Sequence, residues 1–221
     1  MKIRTLAIAA ALLAEMSLGA GCCVYRMDAI RGSGKIATET REISSFESLV
    51  VTGAADVELS IGEPLSLWIE ADDNLLPLVT TDVRGERLVV SSRGSYSTRH
   101  GVRVRVAAPA VSSVKLAGSG TITIEGLDGG ELELTVAGSG DIVVTGEVDS
   151  LDASVGGSGD IDGSRLVSRS VRARIAGSGD IDVHATEALT ATIAGSGEIT
   201  YRGDPPSIER SIAGSGSISA R

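Results

Sequence analysis

The chain has 221 residues and a formal net charge of −9, with 28 Gly, three Tyr, one Trp and one Phe. The acidic balance excludes a nucleic-acid binder, since nothing here would neutralise phosphates. The length suffices for one sizeable core, which the scarcity of aromatics restricts to Val, Ile, Leu and Ala.

Residues 1–21 read as an export signal. Lys2 and Arg4 supply a basic start, and Leu6 to Leu13 is an unbroken apolar run. That run is too short for a bilayer span, which needs about 20 apolar residues. Leu18-Gly19-Ala20-Gly21 then places small residues before Cys22 and Cys23, as in a bacterial lipoprotein cleavage site. Gly19 stands where Leu is expected if Cys22 is acylated, Ala20 stands there if Cys23 is, and Glu15 interrupts the apolar region. Lipidation of Cys22 (or Cys23), which would tie the chain to a membrane, and plain secretion are the two readings. A bridge between adjacent cysteines is geometrically poor. Residues 22–31 form a tether, and residues 32–221 form a single domain.

Gly32-Ser33-Gly34-Lys35-Ile36 opens that domain, and Gly53-Ala54-Ala55-Asp56-Val57 follows as a weaker copy of the same motif. Residues 32–113 are expected to hold degenerate coils. Within them Leu65, Leu67 and Ile69 alternate with Trp68 on the opposite face, and Val102, Val104 and Val106 alternate with Arg103 and Arg105. Period two marks half-buried strands. Asp72 to Pro77 reads as a turn entering a short helical piece or loop. From Gly53 to Gly118 the motif is missing, which leaves room for three degenerate coils or a separate strand layer.

Residues 114–221 repeat regularly. Gly-Ser-Gly returns at Gly118, Gly138, Gly157, Gly177, Gly195 and Gly214, at intervals of 20, 19, 20, 18 and 19 residues. A repeat this short cannot bury its own apolar face, so copies must stack. Leu116, Val136, Val155, Ile175, Ile193 and Ile212 form one column. Ile122, Ile142, Ile161, Ile181, Ile199 and Ile218 form another. Leu132, Leu151, Val171 and Leu189 form a third, and Leu134, Ala153, Ala173 and Ala191 a fourth. In a parallel β-solenoid like positions lie about 4.8 Å apart and such columns become apolar ladders. The competing geometry makes each Gly-Ser-Gly a hairpin turn, pairing Val171–Ile175 with Ile181–Val183. Recurrence of identical residues favours the stack, of nine or ten coils by length.

The block Gly-Ser-Gly-Asp-Ile at 138–142, 157–161 and 177–181, with Val51–Leu59 and Glu70–Leu76, resembles the bacterial auto-transporter adhesin head domain, or head GIN domain, an exported domain of unknown function. The likeness covers roughly residues 34–221. It implies a right-handed parallel β-helix, a place in the cell envelope (periplasm, outer membrane or cell surface) and often a lipoprotein anchor. It supplies no catalytic residue. Thr121, Glu198 and Ser217 depart from its Asp position.

Candidate chemistry is sparse. Asp141, Asp160, Asp180 and Glu198 would stack carboxylates about 5 Å apart, a row that a hard cation could neutralise. Alternatively each accepts backbone N–H bonds at its corner. The Ser column of the motif reads as a hydroxyl ladder. No Gly-Ser-Gly is followed by Lys-Ser/Thr, so no phosphate loop is present, and the period near 19 rules out a nine-residue Ca²⁺ repeat. His100 and His184 lack zinc spacing, and no Ser has a nucleophile-elbow context. Catalytic residues and cofactors are therefore not assigned. Arg99, Arg103, Arg105, Arg165, Arg169, Arg172 and Arg174 point outward as a solvated face or an anion-binding patch. Trp68 either stacks on a sugar or packs under a loop. The expected function is a non-catalytic, adhesin-like envelope module for a glycan or surface-protein ligand. The alternatives are a structural envelope lipoprotein and a polysaccharide-active enzyme. An uncapped last coil would self-associate weakly.

Overall fold

The computed structural model describes residues 29–221, so the export signal, Cys22 and Cys23 lie outside the described residues. In chain order the strands are β1 (Ile30–Arg31), β2 (Ile36–Thr40), β3 (Ser48–Gly53), β4 (Asp56–Ile61), β5 (Ser66–Asp72), β6 (Val79–Arg84), β7 (Arg87–Ser92), β8 (Tyr96–Ser97) and β9 (Arg103–Ala108). They continue with β10 (Ser113–Gly118), β11 (Thr121–Asp128), β12 (Glu131–Val136), β13 (Asp141–Val155), β14 (Ile161–Gly177), β15 (Ile181–Gly195), β16 (Glu198–Arg202), β17 (Ser207–Gly214) and β18 (Ser217–Ala220).

From β10 onward every pairing is parallel, and the strands form two walls. Along the first wall run β3, β10, β12, the second halves of β13, β14 and β15, and then β17. The second wall holds β4, β11, the first halves of β13, β14 and β15, then β16 and β18. Each Gly-Ser-Gly carries the chain from the first wall to the second. Where strands on either side of it pair, they pair in parallel and one coil out of step, as Arg174 does with Thr192, which excludes the hairpin geometry. This is a β-solenoid.

The core follows from the register. Leu116, Val136, Val155, Ile175 and Ile193 stack on one wall and Ile122, Ile142, Ile161, Ile181 and Ile199 on the other, all of them buried. Each such side chain contributes about 1.5–3 kcal/mol on leaving water. Outward positions alternate with these, as a pleated strand requires.

The corner explains why the motif cannot drift. The Ser178 amide donates to the Gly157 carbonyl at 2.8 Å, Ser196 to Gly177 at 2.9 Å and Ser215 to Gly195 at 2.9 Å. The carbonyl that accepts each bond fills the space a side chain would need. A Cβ on Gly177 would sit 2.0 Å from the Gly157 oxygen, and one on Gly179 would sit 2.0 Å from the Gly159 oxygen. The ladder expected of the Ser hydroxyls is thus carried by main-chain amides, and the Ser side chains of the motif are exposed.

The N-terminal third departs from simple coiling. Strands β7 and β9 make one parallel coil outside β3 and β4. The remaining length goes into antiparallel strands: β6 turns back on β7 through Gly85, β5 runs against β9, and β2 runs against β5. The segment without the motif therefore holds one coil and a cap, so the solenoid has fewer turns than the nine or ten expected from length. A 3₁₀ turn at Leu76–Leu78 occupies the expected helical piece. Arg41 ties the cap together, donating to the carbonyls of Val79 at 2.7 Å and Leu76 at 3.1 Å.

Gly32-Ser33-Gly34 matches the motif but is not a corner. Asp72 accepts the Gly34 amide at 2.7 Å, Asn74 accepts the Ser33 amide at 2.9 Å, and Asp73 accepts the Ser33 hydroxyl. The end of the tether is docked as well, with Ile30–Arg31 pairing in parallel with Tyr96–Ser97.

Gly179→Ala isolates the corner constraint, because that glycine lacks a positive φ and only the clash changes. It should cost more than about 3 kcal/mol in chemical unfolding, whereas Ser178→Ala should stay within about 0.5 kcal/mol.

Candidate binding face

The outer face of the second wall gathers most of the residues singled out by pattern. Its cross-strand rows follow from register. One runs Glu70, Arg103, Asp56 and the other Trp68, Arg105, Glu58, across β5, β9 and β4. The Arg105 guanidinium lies 4.8 Å from the centre of the Trp68 ring and donates from Nε to Glu58 at 2.7 Å. Arg103 approaches Glu70 at 3.3 Å. Trp68 is half-buried, with a guanidinium over its ring. Such a cation–π contact is worth about 0.5–1 kcal/mol when exposed.

Farther along the same face lies the acidic column. Asp160 donates its amide to Asp141 at 3.1 Å, Asp180 to Asp160 at 2.8 Å and Glu198 to Asp180 at 2.8 Å. Thr121 donates likewise to Asp56 at 3.1 Å. Each aspartate thus spends one carboxylate oxygen on the amide of the next coil. Where the column holds Thr121 or Glu198, the following amide bonds a glycine carbonyl instead, Asp141 to Gly120 and Ser217 to Gly197. Aspartate has the reach this bond needs, and the repulsion between stacked charges is offset by the N–H donors. Among the described residues no three His, Cys, Asp or Glu side chains form a group able to hold a metal ion.

Arg169, Arg172 and Arg174, in the second half of β14, belong to the first wall. Arg174 reaches Asp152 at 2.8 Å, Arg172 stands 3.9 Å from the same carboxylate, and Arg169 meets Asp149 at 3.5 Å. All are solvent-exposed pairs, worth about 0–1 kcal/mol each. Arg165 lies beside Asp162 on the second wall. Hydrogen bonds from Ser164 hold the Asp162 carboxyl below its ordinary value, against the opposing effect of burial. His184 is opposite Arg202 across β15 and β16, and His100 is in the loop after β8, so the two histidines do not meet.

One carboxylate escaped the sequence reading. Asp72 is 1% exposed and faces a cavity of about 380 Å³ lined also by Arg31, Gly32, Ser97, Thr98 and Arg99. It accepts the Thr98 hydroxyl and the Gly34 amide. The Thr98 bond, then the Gly34 bond and the nearby His100, hold its pKa below the ordinary 3.8 against desolvation. Its visible work is to fasten the entry of the chain, through the Gly34 amide and the Thr98 hydroxyl. Its position in an Asp-Asp-Asn run was the available signal.

Residues 45–205 match the family described as "Putative auto-transporter adhesin, head GIN domain". The chain belongs to this family. Among solved structures, an adhesin-titled protein of Bacteroides fragilis is 24% identical, with a TM-score of 0.71, covering 87% of this chain and 100% of that one. A protein of Parabacteroides distasonis titled "Putative lipid binding protein" is 30% identical, with a TM-score of 0.56 and coverage of 87% and 99%. An adhesin-titled protein of Parabacteroides merdae is 23% identical, with a TM-score of 0.59 and coverage of 88% and 99%. No curated protein matches the chain. These solved structures share the solenoid fold of this chain.

The Asp72 bonds favour the carboxylate, so the folded pKa is below the unfolded one. The stabilisation is present above about pH 4 and lost as pH falls through the folded value. Thermal unfolding between about pH 6 and about pH 2.5 should show a steeper fall in wild type than in Asp72→Asn.

Proposed function

We propose that this head GIN domain is an exported, non-catalytic surface module of the cell envelope. It binds a glycan on the outer face of its second wall, and a lipid on Cys22 or Cys23 anchors it. The observation that carries the reading is Trp68, the chain's one Trp, half-buried beside the Arg105–Glu58 and Arg103–Glu70 pairs. An aromatic face supplies the apolar contact a sugar ring offers, and neighbouring fixed charges supply directional hydrogen bonds. Rigid coils keep that face ordered before binding, which lowers the cost of association. Family membership supports export and surface display. Among the described residues no helix is long and apolar enough to cross a membrane.

A glycan array probed with the secreted domain should give hits that Trp68→Ala weakens at least about tenfold, a change of about 1.4 kcal/mol. Hits unaffected by Trp68→Ala would move the site elsewhere. A blank array would favour the spacer reading, in which the repeats separate other components from the membrane. Palmitate labelling that persists in Cys22→Ser and is lost in Cys23→Ser would assign the anchor to the second cysteine.

A further inference from the structure

Gly32-Ser33-Gly34 has no part in the stack, and it forms one wall of the cavity of about 380 Å³ beside Asp72. Ser97 to Arg99 form the other wall, and the pairing of β1 with β8 joins the two. Asp72 fastens both. Its Oδ1 accepts the Gly34 amide at 2.7 Å and its Oδ2 accepts the Thr98 hydroxyl. A Cβ on Gly32 would lie 2.2 Å from Oδ2, so a glycine is needed for this wall to close on the carboxylate. Asp73 is engaged as well, by the Ser33 hydroxyl.

The two guanidinium groups of the cavity are not engaged in this way. Arg31 and Arg99 are exposed, one on each wall, and neither forms an ion pair with a described residue. Every other residue of the lining is Gly, Ser, Thr or Asp72. We propose that this cavity receives a sugar unit bearing an acid group, a carboxylate or a sulfate, within a glycan that crosses the second wall. The glycan rests on the reading given for Trp68, whereas the preference for an acid rests on the cavity. Guanidinium groups recognise such oxyanions through paired N–H donors. The volume suits one small ring and not a bulky group. Asp72 repels a bare inorganic anion at the floor, but a sugar ring carries its acid at the rim and turns hydroxyl groups inward. Trp68, Glu70 and Asp72 alternate onto one face of β5, which places the cavity about 14 Å from Trp68. A short oligosaccharide covers that span.

Calorimetry on the secreted chain carrying Cys22→Ser and Cys23→Ser tests this, with trigalacturonate, sulfated galactotriose and neutral galactotriose as probes. At least one acidic probe should bind about tenfold or more tighter than the neutral one. Arg31→Gln with Arg99→Gln should abolish that preference and leave neutral galactotriose unchanged. Arg87→Gln, outward on the first wall, should leave the preference intact. Trp68→Ala should weaken all three probes alike and keep the preference; if it weakens none while the preference persists, the Trp68 reading fails and the cavity stands. Equal binding of acidic and neutral probes would overturn the inference. So would a preference that survives the double arginine variant, or sodium sulfate binding as tightly as the acidic sugar. Capture by vesicles of anionic phospholipid that the double variant abolishes, with no binding of either acidic sugar, would assign the cavity to a lipid head group instead.

Discussion

The fold depends on one close approach, that of a glycine carbonyl in each coil to the corner glycine of the next. The oxygen lies where a Cβ would be, and the amide beside it donates to that same oxygen. The hydrogen-bonded ladder consequently continues around the corner, and one coil's shape is imposed on its successor. Any side chain there would separate the coils and break the bond together. Identity of the motif is therefore a steric requirement, and the aliphatic columns are held in register as a consequence.

Outward positions carry no such demand and are free to vary, which is where function has room. Along the second wall they change from paired Arg and Glu beside Trp68 to a run of aspartates. Those aspartates serve the stack, because each satisfies the next amide. The Trp68 row instead ties three strands together, Arg105 lying over the Trp68 ring and pairing with Glu58. The two ends of the stack also differ. At one, strands reverse direction and Arg41 bonds the carbonyls of Leu76 and Val79, and at the other, the Arg210 guanidinium lies over the Tyr201 ring.

The solenoid was legible because its constraint is local and repeated. Leu116 through Ile212 and Ile122 through Ile218 mark both walls, and even the weak copy Gly53-Ala54-Ala55-Asp56 stacks under Gly118 to Thr121. Gly32-Ser33-Gly34 was misread because the same tripeptide meets different neighbours, the side chains of Asp72, Asp73 and Asn74 about forty residues away. Nothing in the tripeptide distinguishes the two fates. The cap was hidden for a similar reason, since period-two alternation reports a strand and is silent on its direction. The Trp68–Arg105–Glu58 row joins three strands through one antiparallel and one parallel pairing, so no linear spacing announces it.

Parallel stacking of successive copies is the claim on which the rest stands, and a disulfide trap tests it most directly. In a background with Cys22 and Cys23 replaced by Ser, Arg174 and Thr192 are opposite each other on neighbouring coils, and Arg174 and Asp182 are on different walls. Arg174→Cys with Thr192→Cys should oxidise readily to an intramolecular bridge, and Arg174→Cys with Asp182→Cys should not. The reverse outcome would mean that Gly-Ser-Gly reverses the chain between antiparallel partners, and the solenoid account would be wrong.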